Sequence, residues 1–527
     1  MNFLQMLDGA EVLDRRGDPA INGLDYDSRR IKPGYAFIAM KGETTDGNRF
    51  IDKAIELGAV AVVSDSESGP FPKEGKGSAT QEIAWARVPH GRRALGRLSA
   101  NFYGRPAEKL ANTGVTGTNG KTTTSFLVES ILNVPRKRTV LIGTVEYHLP
   151  GKIISAPHTT PESLELNQMF AGALKDGATE AVMEVSSHAL EQQRVYGIPY
   201  DVAVFTNLTR DHLDYHKTME SYFASKKVLF EGSGTYPPRV AVINVDDEYG
   251  RELAKFSRKQ GSEVITYGLT RADFHAENVD IGLRGSRFDM VTPLGKLPIW
   301  SPLIGRVNVY NIMAAAAAAW ARGCTEELIT AGVAALQNVP GRFQPVIAGQ
   351  PFTVVVDYAH TDDALKNLTA LAREFVACKC PCHRGISVVH PVPCCPNNAG
   401  RVITVFGCGG DRDRTKRPLM GEAAGRGSDY VIITSDNPRS EDPMAIIEDA
   451  KPGVEKTGTE FTVEPDRRKA IDLALHKAKP HDIVLIAGKG HEKTQTTREG
   501  MIAFNDAEVA RELLGEMGYS QPEEPKA

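Results

Sequence analysis

The sequence predicts an α/β protein of roughly three domains, built on mostly parallel sheets. Its 527 residues are too many for one hydrophobic core. Short apolar runs rich in β-branched residues alternate with helical patterns almost throughout, as in βαβ units. Polar clusters follow several of these runs, at the strand ends where parallel sheets bind ligands.

The expected strands are placed by their apolar, β-branched composition. They cover residues 59–63, 181–185, 202–205, 240–245, 354–356, 402–406, 431–434 and 483–487. Polar clusters follow at residues 184–188, 206–207, 357–360, 407–412, 436–439 and 488–492. Because the carboxyl ends of parallel strands share one edge of a sheet, we expect these clusters to form binding surfaces. The alanine run 314–319 predicts a tightly packed helix.

Residues 114–124 read Gly-Val-Thr-Gly-Thr-Asn-Gly-Lys-Thr-Thr-Thr, a loop suited to a polyphosphate. Its glycines let backbone N–H groups approach phosphate oxygens, Lys121 can reach the terminal phosphates, and Thr122 stands where a P-loop has its magnesium ligand. Apolar residues at helical spacing from Phe126 predict a following helix, whose positive N-terminus would face the phosphates. The spacing is not standard, because Val115 stands where the first glycine is expected. The alternative is a glycine-rich turn without a ligand.

Charged groups in the middle third extend this predicted site. Glu184 follows a strand, where a Walker-B-type carboxylate would lie, and Asp211 and His212 open an Asp-His-Leu-Asp-Tyr-His run. Magnesium prefers oxygen ligands, so His212 would be an unusual contributor. Each residue alone could be a surface charge or a core polar group. Together, after a phosphate loop, they favour an ATP site.

The overall composition bears on the class of function. Hydrophobic residues make up 41% and charged residues 24% of the chain, as in ordinary globular proteins. A net charge of −4 gives no electrostatic case for nucleic-acid binding. The first residues lack the basic and apolar segments of a signal peptide, and no apolar run reaches membrane-spanning length. We therefore expect a cytoplasmic enzyme without membrane insertion; the oligomeric state stays open.

Two domain boundaries are expected. The first lies near residue 110, just before the phosphate loop. The second lies within 339–345, where a helical stretch gives way to a new series of strands. The expected domains are therefore residues 1–110, 111–343 and 344–527.

Five cysteines crowd one short segment, residues 377–398. In a reducing compartment such crowding suggests metal or redox chemistry rather than disulfides. The spacing departs from the usual Cys-x-x-Cys pairs of zinc sites. A zinc site and a metal-free surface insertion both remain open. The cysteines are Cys378, Cys380, Cys382, Cys394 and Cys395, accompanied by His383 and His390.

The chain resembles the Mur ligases, through motifs that occur in the family's order over roughly residues 20–510. These motifs are Asp27-Ser28-Arg29, the phosphate loop 117–124, Thr159-Thr160-Pro161-Glu162, Glu184-Val185-Ser186-Ser187-His188, the run 211–216, Gly341-Arg342-Phe343, Asp357-Tyr358-Ala359-His360, residues 407–413, Asp436-Asn437-Pro438-Arg439, and residues 488–492.

The resemblance implies a first domain that holds the UDP end of a substrate, a central P-loop-type ATPase domain and a C-terminal Rossmann-like domain that brings an amino acid. It implies that UDP-MurNAc-L-Ala-D-Glu, ATP and a diamino acid give UDP-MurNAc-tripeptide, ADP and phosphate, in peptidoglycan precursor synthesis. A carboxylate is a poor electrophile, so ATP converts it to an acyl phosphate, which the amine attacks as phosphate leaves. Catalysis then rests on positioning and on charge neutralisation by Mg²⁺ and Lys121.

Site residues follow from the resemblance by motif. The implied catalytic residues are Lys121, Glu184, His212 and Lys226, and the implied magnesium ligands are Thr122, Glu184, His212 and Lys226. Lys226 matches the lysine that the family carbamylates, which turns a cation into a magnesium-binding anion; the neighbouring Lys227 is the rival. The implied ATP-binding residues are Gly117, Thr118, Asn119, Gly120, Lys121, Thr122, Thr123, Asn308, Asn311, Arg342 and His360. The implied UDP-substrate residues are Tyr26, Ser28, Glu43, Thr44, Thr45, Thr159, Thr160, Ser186, Gln192 and Arg194.

The third substrate is implied by residues 436–439, Asp-Asn-Pro-Arg, which match the branch of the family that adds meso-diaminopimelate. The far end of this substrate carries both a carboxylate and an amine, whereas the far end of lysine carries only an amine. Arginines can pair with the carboxylate, and a site built for both groups would reject lysine. The implied residues are Arg412, Asp436, Asn437, Pro438, Arg439, Gly488 and Glu492. The alternative is that Asp-Asn-Pro-Arg is only a turn.

The sequence departs from the family pattern at three places: His158, where asparagine is common; Asp362, where proline is usual; and the insertion 377–398. Two other functions stay open. One is a related amide ligase, such as a lysine-adding relative or a folylpolyglutamate synthetase. The other is a nucleotide-binding regulatory protein that has lost catalysis.

Overall fold

The computed structural model describes residues 1–42, 45–67, 83–136, 138–282, 284–376 and 400–520. Three large sheets and their covering helices organise these residues. Each sheet is formed from one stretch of the chain, so the architecture is three consecutive α/β units, as expected. Within the described residues, no helix combines the length and apolar character needed to span a bilayer.

The first sheet has the order β1-β5-β4-β3-β2 and is parallel except for the β1–β5 pair. Its strands are β1 Asp14–Arg16, β2 Gly23–Asp25, β3 Tyr35–Ala39, β4 Ala61–Ser64 and β5 Ala84–Arg87. Its α-helices are α1 Phe3–Met6, α2 Ile51–Glu56 and α3 Gly91–Phe102. Short 3₁₀ helices cover Ser28–Arg30, Gly47–Phe50 and Pro106–Lys109.

The second sheet is the largest, with the order β16-β15-β14-β13-β12-β11-β6-β10-β7-β8-β9. Its strands are β6 Ala111–Thr116, β7 Thr139–Ile142, β8 Glu146–Leu149, β9 Lys152–Ser155, β10 Glu180–Glu184, β11 Val202–Phe205, β12 Val240–Asn244, β13 Glu263–Gly268, β14 Phe274–Gly282, β15 Gly285–Thr292 and β16 Gly295–Ser301. Its helices are α4 Lys121–Asn133, α5 Ser163–Lys175, α6 Ser187–Glu191, α7 Leu213–His216, α8 Met219–Glu231, α9 Glu248–Lys259, α10 Arg306–Ala321 and α11 Glu326–Ala335.

Strand β6 lies at the centre of this sheet, paired in parallel with β10 and β11. Helix α10 contains the alanine run and packs against α4. Ala314 to Ala319 are fully buried, because small side chains let the helix approach its neighbours closely. The expectation of a tightly packed helix is confirmed. Helix α10 thereby supports α4, which begins directly after the loop that follows β6.

The edges of the second sheet differ from the expectation of mostly parallel strands. Strands β14 to β16 form an antiparallel meander, and β7 to β9 form another at the opposite edge. Strands β8, β9 and β14 to β16 are partly exposed and carry polar residues, so they lack the continuous apolar runs of buried parallel strands. Strand β7 is fully buried and also pairs in parallel with β10. His148 on β8 ties one meander to α4, with Nδ1 2.8 Å from Glu129 and Nε2 2.9 Å from Glu146. Burial lowers the pKa of His148, but these carboxylates outweigh it and raise that pKa to about 9.

The third sheet has the order β17-β18-β22-β19-β20-β21 and is parallel apart from β17. Its strands are β17 Gln344–Val346, β18 Thr353–Asp357, β19 Val402–Phe406, β20 Tyr430–Ile433, β21 Glu460–Val463 and β22 Ile483–Ala487, followed by a separate hairpin of β23 Thr494–Thr497 and β24 Gly500–Ala503. Its helices are α12 Asp362–Val376, α13 Lys416–Gly427, α14 Pro443–Glu455, α15 Arg467–Lys477 and α16 Asp506–Glu516. The cysteine-rich segment 377–398 lies outside the described residues.

Candidate active site

The phosphate loop lies between the end of β6 and the start of α4, as predicted. Gly117 has a φ of 144°, and a Cβ there would lie 1.9 Å from Oγ1 of Thr206, so only glycine fits. The Lys121 ammonium donates hydrogen bonds to the carbonyl oxygens of Gly117, at 2.9 Å, and Thr118, at 2.8 Å. Burial lowers the pKa of Lys121, against the opposing effect of nearby Glu184. The other ATP candidates of this region, Asn119, Gly120 and Thr123, lie in the same loop and the first turn of α4.

Glu184 is the last residue of β10 and is fully buried beside the phosphate loop. Its Oε2 accepts hydrogen bonds from the hydroxyl groups of Thr122, at 3.1 Å, and Thr144, at 3.0 Å. The backbone N–H of Thr144 donates to Oε1 at 2.7 Å. Arg342 reaches the same place, where its Nη2 donates to the Thr122 hydroxyl at 3.1 Å. Residues distant in sequence thus meet at the start of α4.

Lys226 and Lys227 occupy different environments on α8. Lys226 is 1% exposed; its ammonium donates to the Gly117 carbonyl at 2.8 Å and lies 4.5 Å from the centre of the Tyr222 ring. Burial, followed by the Lys121 ammonium, lowers the pKa of Lys226 well below its ordinary value. Lys227 points away, with Nζ 3.7 Å from Glu231. Of the two lysines, only Lys226 contacts the phosphate loop.

His212 lies at the start of α7 with a φ of 53°. Its Nε2 is 3.4 Å from Oδ2 of Asp211, and its ring centre is 4.8 Å from that of His188. Burial lowers the pKa of His212 to about 3, although Asp211 opposes that shift. The imidazole is therefore neutral at physiological pH and available as a nitrogen ligand or hydrogen-bonding group.

The remaining ATP candidates surround the loop from α10 and from the third sheet. Asn311 donates to Oδ1 of Asn308 at 2.9 Å, which fixes both amides near the first turn of α4. Nδ1 of His360 is 2.8 Å from the Tyr358 carbonyl oxygen, at the end of β18. A direct contact between the second and third units is made by Asn119, which donates to Oδ2 of Asp363 at 3.2 Å.

The UDP-substrate candidates fall into two groups. In the first unit, the Tyr26 hydroxyl donates to Glu165 of the second unit at 3.0 Å, and Ser28 opens a 3₁₀ helix. The carbonyl of Thr45 accepts a hydrogen bond from Gly42, whereas Glu43 and Thr44 lie outside the described residues.

The second group lies beside Glu184. The Thr160 hydroxyl donates to the Glu184 carbonyl at 2.8 Å and accepts from the Ser186 backbone at 3.1 Å. Arg194 donates to the Thr160 carbonyl at 3.0 Å and to Oε1 of Gln192 at 2.7 Å. Oγ1 of Thr159 lies 3.1 Å from that of Thr144. This group therefore adjoins the carboxylate at the end of β10.

A cleft of about 380 Å³ separates the second and third units. His188, Asp211 and His212 of the second unit line it on one side, and Tyr358 and His360, which follow β18, line it from the third unit. Its far side is formed by Arg412, Asp436, Asn437, Arg439, Gly488 and Glu492. The polar ends of strands from two sheets thus share one cavity, in which Asp211 and His212 lie opposite the candidates for the amino acid. The other catalytic and magnesium candidates are not part of its lining: Lys121, Thr122, Glu184 and Lys226.

The amino-acid candidates are held rigidly on their side of the cleft. Nη1 of Arg439 donates to the Gly410 carbonyl at 2.6 Å. Burial raises the pKa of Asp436, against the opposing effect of Arg467. At Gly488 a Cβ would lie 2.5 Å from Oδ2 of Asp436, so a side chain there would displace that carboxylate. Pro438, also predicted for this site, is not part of the cleft lining.

The donor set near the phosphate loop suits magnesium through oxygen atoms. The hydroxyl of Thr122 and the carboxylate of Glu184 are oxygen donors in contact, as Mg²⁺ prefers. Within the described ranges, no cluster of three or more His, Cys, Asp and Glu side chains is arranged to hold a metal. A magnesium site here would therefore combine the Thr122 hydroxyl and the Glu184 carboxylate with the His212 imidazole and a carbamate formed at Lys226.

Several residues of the site were not singled out from the sequence. Thr144 binds both oxygens of Glu184, and Tyr222 stacks on His216 and contacts Thr118. Lys489 lies within the Gly-Lys-Gly motif of residues 488–490, for which the sequence predicts no role for the lysine. Lysines are rarely buried, so only the motif could have pointed to it.

Comparisons with known proteins agree with this arrangement. Family models match the Mur ligase family catalytic domain at residues 20–103, the Mur ligase middle domain at 115–319 and the Mur ligase glutamate ligase domain at 393–490. A UDP-N-acetylmuramoyl-L-alanyl-D-glutamate–2,6-diaminopimelate ligase of Solibacter usitatus is 49% identical, covering 95% of each chain. A relative of the same name from Alkaliphilus metalliredigens is 40% identical, covering 98% of each chain.

A solved structure titled as a UDP-N-acetylmuramoyl-L-alanyl-D-glutamate–2,6-diaminopimelate ligase is similar over nearly the whole fold. It is 34% identical with a TM-score of 0.64, and the match covers 95% of this chain and 96% of that one. The family models match all three structural units in chain order. The chain belongs to the Mur ligase family.

Proposed function

We propose that this protein is an ATP-dependent amide ligase that joins meso-diaminopimelate to UDP-MurNAc-L-Ala-D-Glu, in peptidoglycan precursor synthesis. The observation that carries the proposal is the shared cleft, in which His212 and Asp211 face Arg412, Arg439 and Glu492. The names of the relatives support the same activity. The proposed division of labour follows the domains 1–110, 111–343 and 344–527, for the UDP substrate, ATP and the amino acid.

The first step requires transfer of the terminal phosphoryl group of ATP to the D-glutamate carboxylate, which gives an acyl phosphate and ADP. Lys121 and the backbone N–H groups of the phosphate loop would neutralise the charge on the transferred group. Magnesium, held by Thr122, Glu184, His212 and modified Lys226, would supply further charge neutralisation when bound. The chain's own part is to place the carboxylate, through Thr160 and Arg194, next to the phosphate loop.

Modification of Lys226 is chemically suited to its environment. The neutral amine forms a bond to the carbon of CO₂ and loses a proton, which gives a carbamate anion. Burial lowers the pKa of Lys226 well below its ordinary value, which favours the neutral amine that this step requires. The carbamate would place negative charge beside the phosphate loop and the Lys121 ammonium, where the unmodified amine offers none.

In the second step the amine of diaminopimelate attacks the acyl carbon, the amide bond forms, and phosphate and a proton leave. The far end of diaminopimelate carries a carboxylate and an ammonium group. Arg412 and Arg439 would receive the carboxylate, and Asp436 and Glu492 the ammonium. Because the reaction consumes ATP, the proposed location of the enzyme is the cytoplasm.

The test is release of phosphate from ATP by the full-length protein, with each substrate omitted in turn. Phosphate should appear at a sustained rate only with both the dipeptide nucleotide and meso-diaminopimelate present. Lys121→Met should abolish that rate, since it removes the charge at the phosphate loop. Sustained ATP hydrolysis independent of both acceptors would contradict the proposal.

A further inference from the structure

Lys489 is a fully buried lysine placed directly behind the amino-acid side of the cleft. It follows Gly488 after the end of β22, and its side chain is 0% exposed. It is not among the residues that line the cleft, although both Gly488 and Glu492 are. A lysine with no access to solvent or to the cleft must act through the groups it contacts.

All three protons of the Lys489 ammonium are used within the protein. Nζ donates to Oε2 of Glu492 at 2.8 Å, to the Thr494 carbonyl at 2.7 Å and to Oδ1 of Asn437 at 3.3 Å. An ammonium group has three donors and no acceptor. Lys489 therefore has no proton left to offer a substrate.

The side chain of Asn437 likewise makes its hydrogen bonds within the protein. Its Nδ2 donates to Oε2 of Glu492 at 2.7 Å, and its Oδ1 accepts from the Thr496 backbone at 2.9 Å as well as from Lys489. Its carbonyl oxygen, which has two lone pairs, is therefore saturated. Asn437 lines the cleft, and its amide gives Glu492 a second hydrogen bond besides that from Lys489.

The carboxylate of Glu492 is oriented by the hydrogen bonds from Lys489 and Asn437. Both bonds converge on Oε2, and among the described residues no hydrogen bond to Oε1 is found. The side chain is 30% exposed and lines the cleft. Burial raises the pKa of Glu492, but the charge of Lys489 and hydrogen bonds from Lys489 and Asn437 outweigh it and leave that pKa below its ordinary value.

We infer that Lys489 is a positioning residue that fixes Glu492 as an ionised carboxylate with Oε1 directed into the cleft, and that it thereby sets the affinity for the distal ammonium group of the diamino acid. This inference rests on the proposed function, because it assigns the ammonium of the third substrate to Glu492. Without Lys489, the Glu492 carboxylate would lose the charge that balances it and would be free to turn or to take up a proton.

The test compares Lys489→Met with Lys493→Met, a matched control that removes an exposed lysine four residues further along the chain. The KM values for meso-diaminopimelate, ATP and the dipeptide nucleotide are measured for the wild type and both variants. Lys489→Met should raise the KM for meso-diaminopimelate by about 30-fold or more, because loss of one partner of a buried charge pair costs about 2 kcal/mol at the least. The other two KM values and the Lys493→Met variant should stay within about twofold of the wild type.

If Lys489→Met folds poorly, a double variant tests the same inference. Lys489→Met/Glu492→Gln leaves no unpaired charge in the network, and its KM for meso-diaminopimelate should lie within about twofold of that of Glu492→Gln alone. A further loss of about tenfold in the double variant would overturn the inference, because it would show that Lys489 does not act through Glu492. Equal rises in all three KM values for Lys489→Met, or no rise, would overturn it too. A wild-type protein that forms no tripeptide with meso-diaminopimelate would instead overturn the proposed function itself.

Discussion

Replacing Lys226 by methionine separates its proposed catalytic role from any role in stability. The change keeps the length of the side chain and removes the amine that would carry the carbamate. It also removes one hydrogen bond, from Nζ to the Gly117 carbonyl at 2.8 Å, and the contact of Nζ with the Tyr222 ring at 4.5 Å. No other polar group is altered.

The structure sets the expected magnitudes. The hydrogen bond contributes about 1 kcal/mol, and the ring contact contributes up to about 2 kcal/mol if the amine is charged. A buried amine with one hydrogen bond and no carboxylate partner is costly whether it is neutral or charged, so the free energy of unfolding of Lys226→Met should equal or exceed that of the wild type. The kcat for ligation should fall by about 100- to 1000-fold, the usual cost of removing one preorganised charged group from a phosphoryl-transfer site.

Three measurements check these expectations. Urea unfolding gives the stability, coupled ADP release gives kcat, and binding of ADP shows whether the phosphate loop is intact. Lys227→Met is the matched control, because Lys227 lies on the same helix and pairs with Glu231 instead of contacting the loop; it should retain most of the activity. Full activity of Lys226→Met, or its loss in Lys227→Met, would refute the reasoning.

Three further predictions concern the third substrate, the insertion and a buried ion pair. The kcat/KM for meso-diaminopimelate should exceed that for L-lysine by about 30-fold or more, because with lysine Arg412 and the 436–439 loop would lack their carboxylate partner, a loss of about 2–5 kcal/mol. Equal values would remove the specificity argument. Replacing residues 377–398 by a short Gly/Ser linker should leave most ligase activity, since every proposed site residue lies outside it; a folded variant that cannot use diaminopimelate would show that the segment belongs to the site. His148→Gln should lower the free energy of unfolding by at most about 3 kcal/mol below pH 6.5, where the raised pKa of His148 stabilises the folded state in full. That effect should vanish as pH rises through about 9, and a deficit in urea unfolding that does not change with pH would contradict the assigned charge state.

The buried framework of the fold could be predicted from the sequence because its strands are continuous apolar runs. Strands β11, β19 and β22 have the predicted bounds, and the other predicted strands agree within two residues. The antiparallel meanders could not be predicted this way. Residues of β16 alternate between exposed and buried, which gives a weaker pattern than a strand covered on both faces.

The candidate site was predictable where a motif fixes a backbone conformation. The glycines and the lysine predict the phosphate loop, and the helix expected after it is α4, which begins at Lys121. The cleft places the predicted groups of two sheets together, but their contacts depend on chain packing. Lys489 and Asn437 are separated by 52 positions along the chain and meet through side chains, which composition and spacing do not report.

Mass analysis of the nucleotide product tests the account most directly. Full-length protein is incubated with UDP-MurNAc-L-Ala-D-Glu, ATP, Mg²⁺ and meso-diaminopimelate, and the product is compared with reactions that lack one component. We predict a nucleotide heavier by one diaminopimelate residue, formed in equal amounts with ADP and phosphate, and only when all components are present. ATP hydrolysis without this product, or an unchanged dipeptide nucleotide, would contradict the assignment.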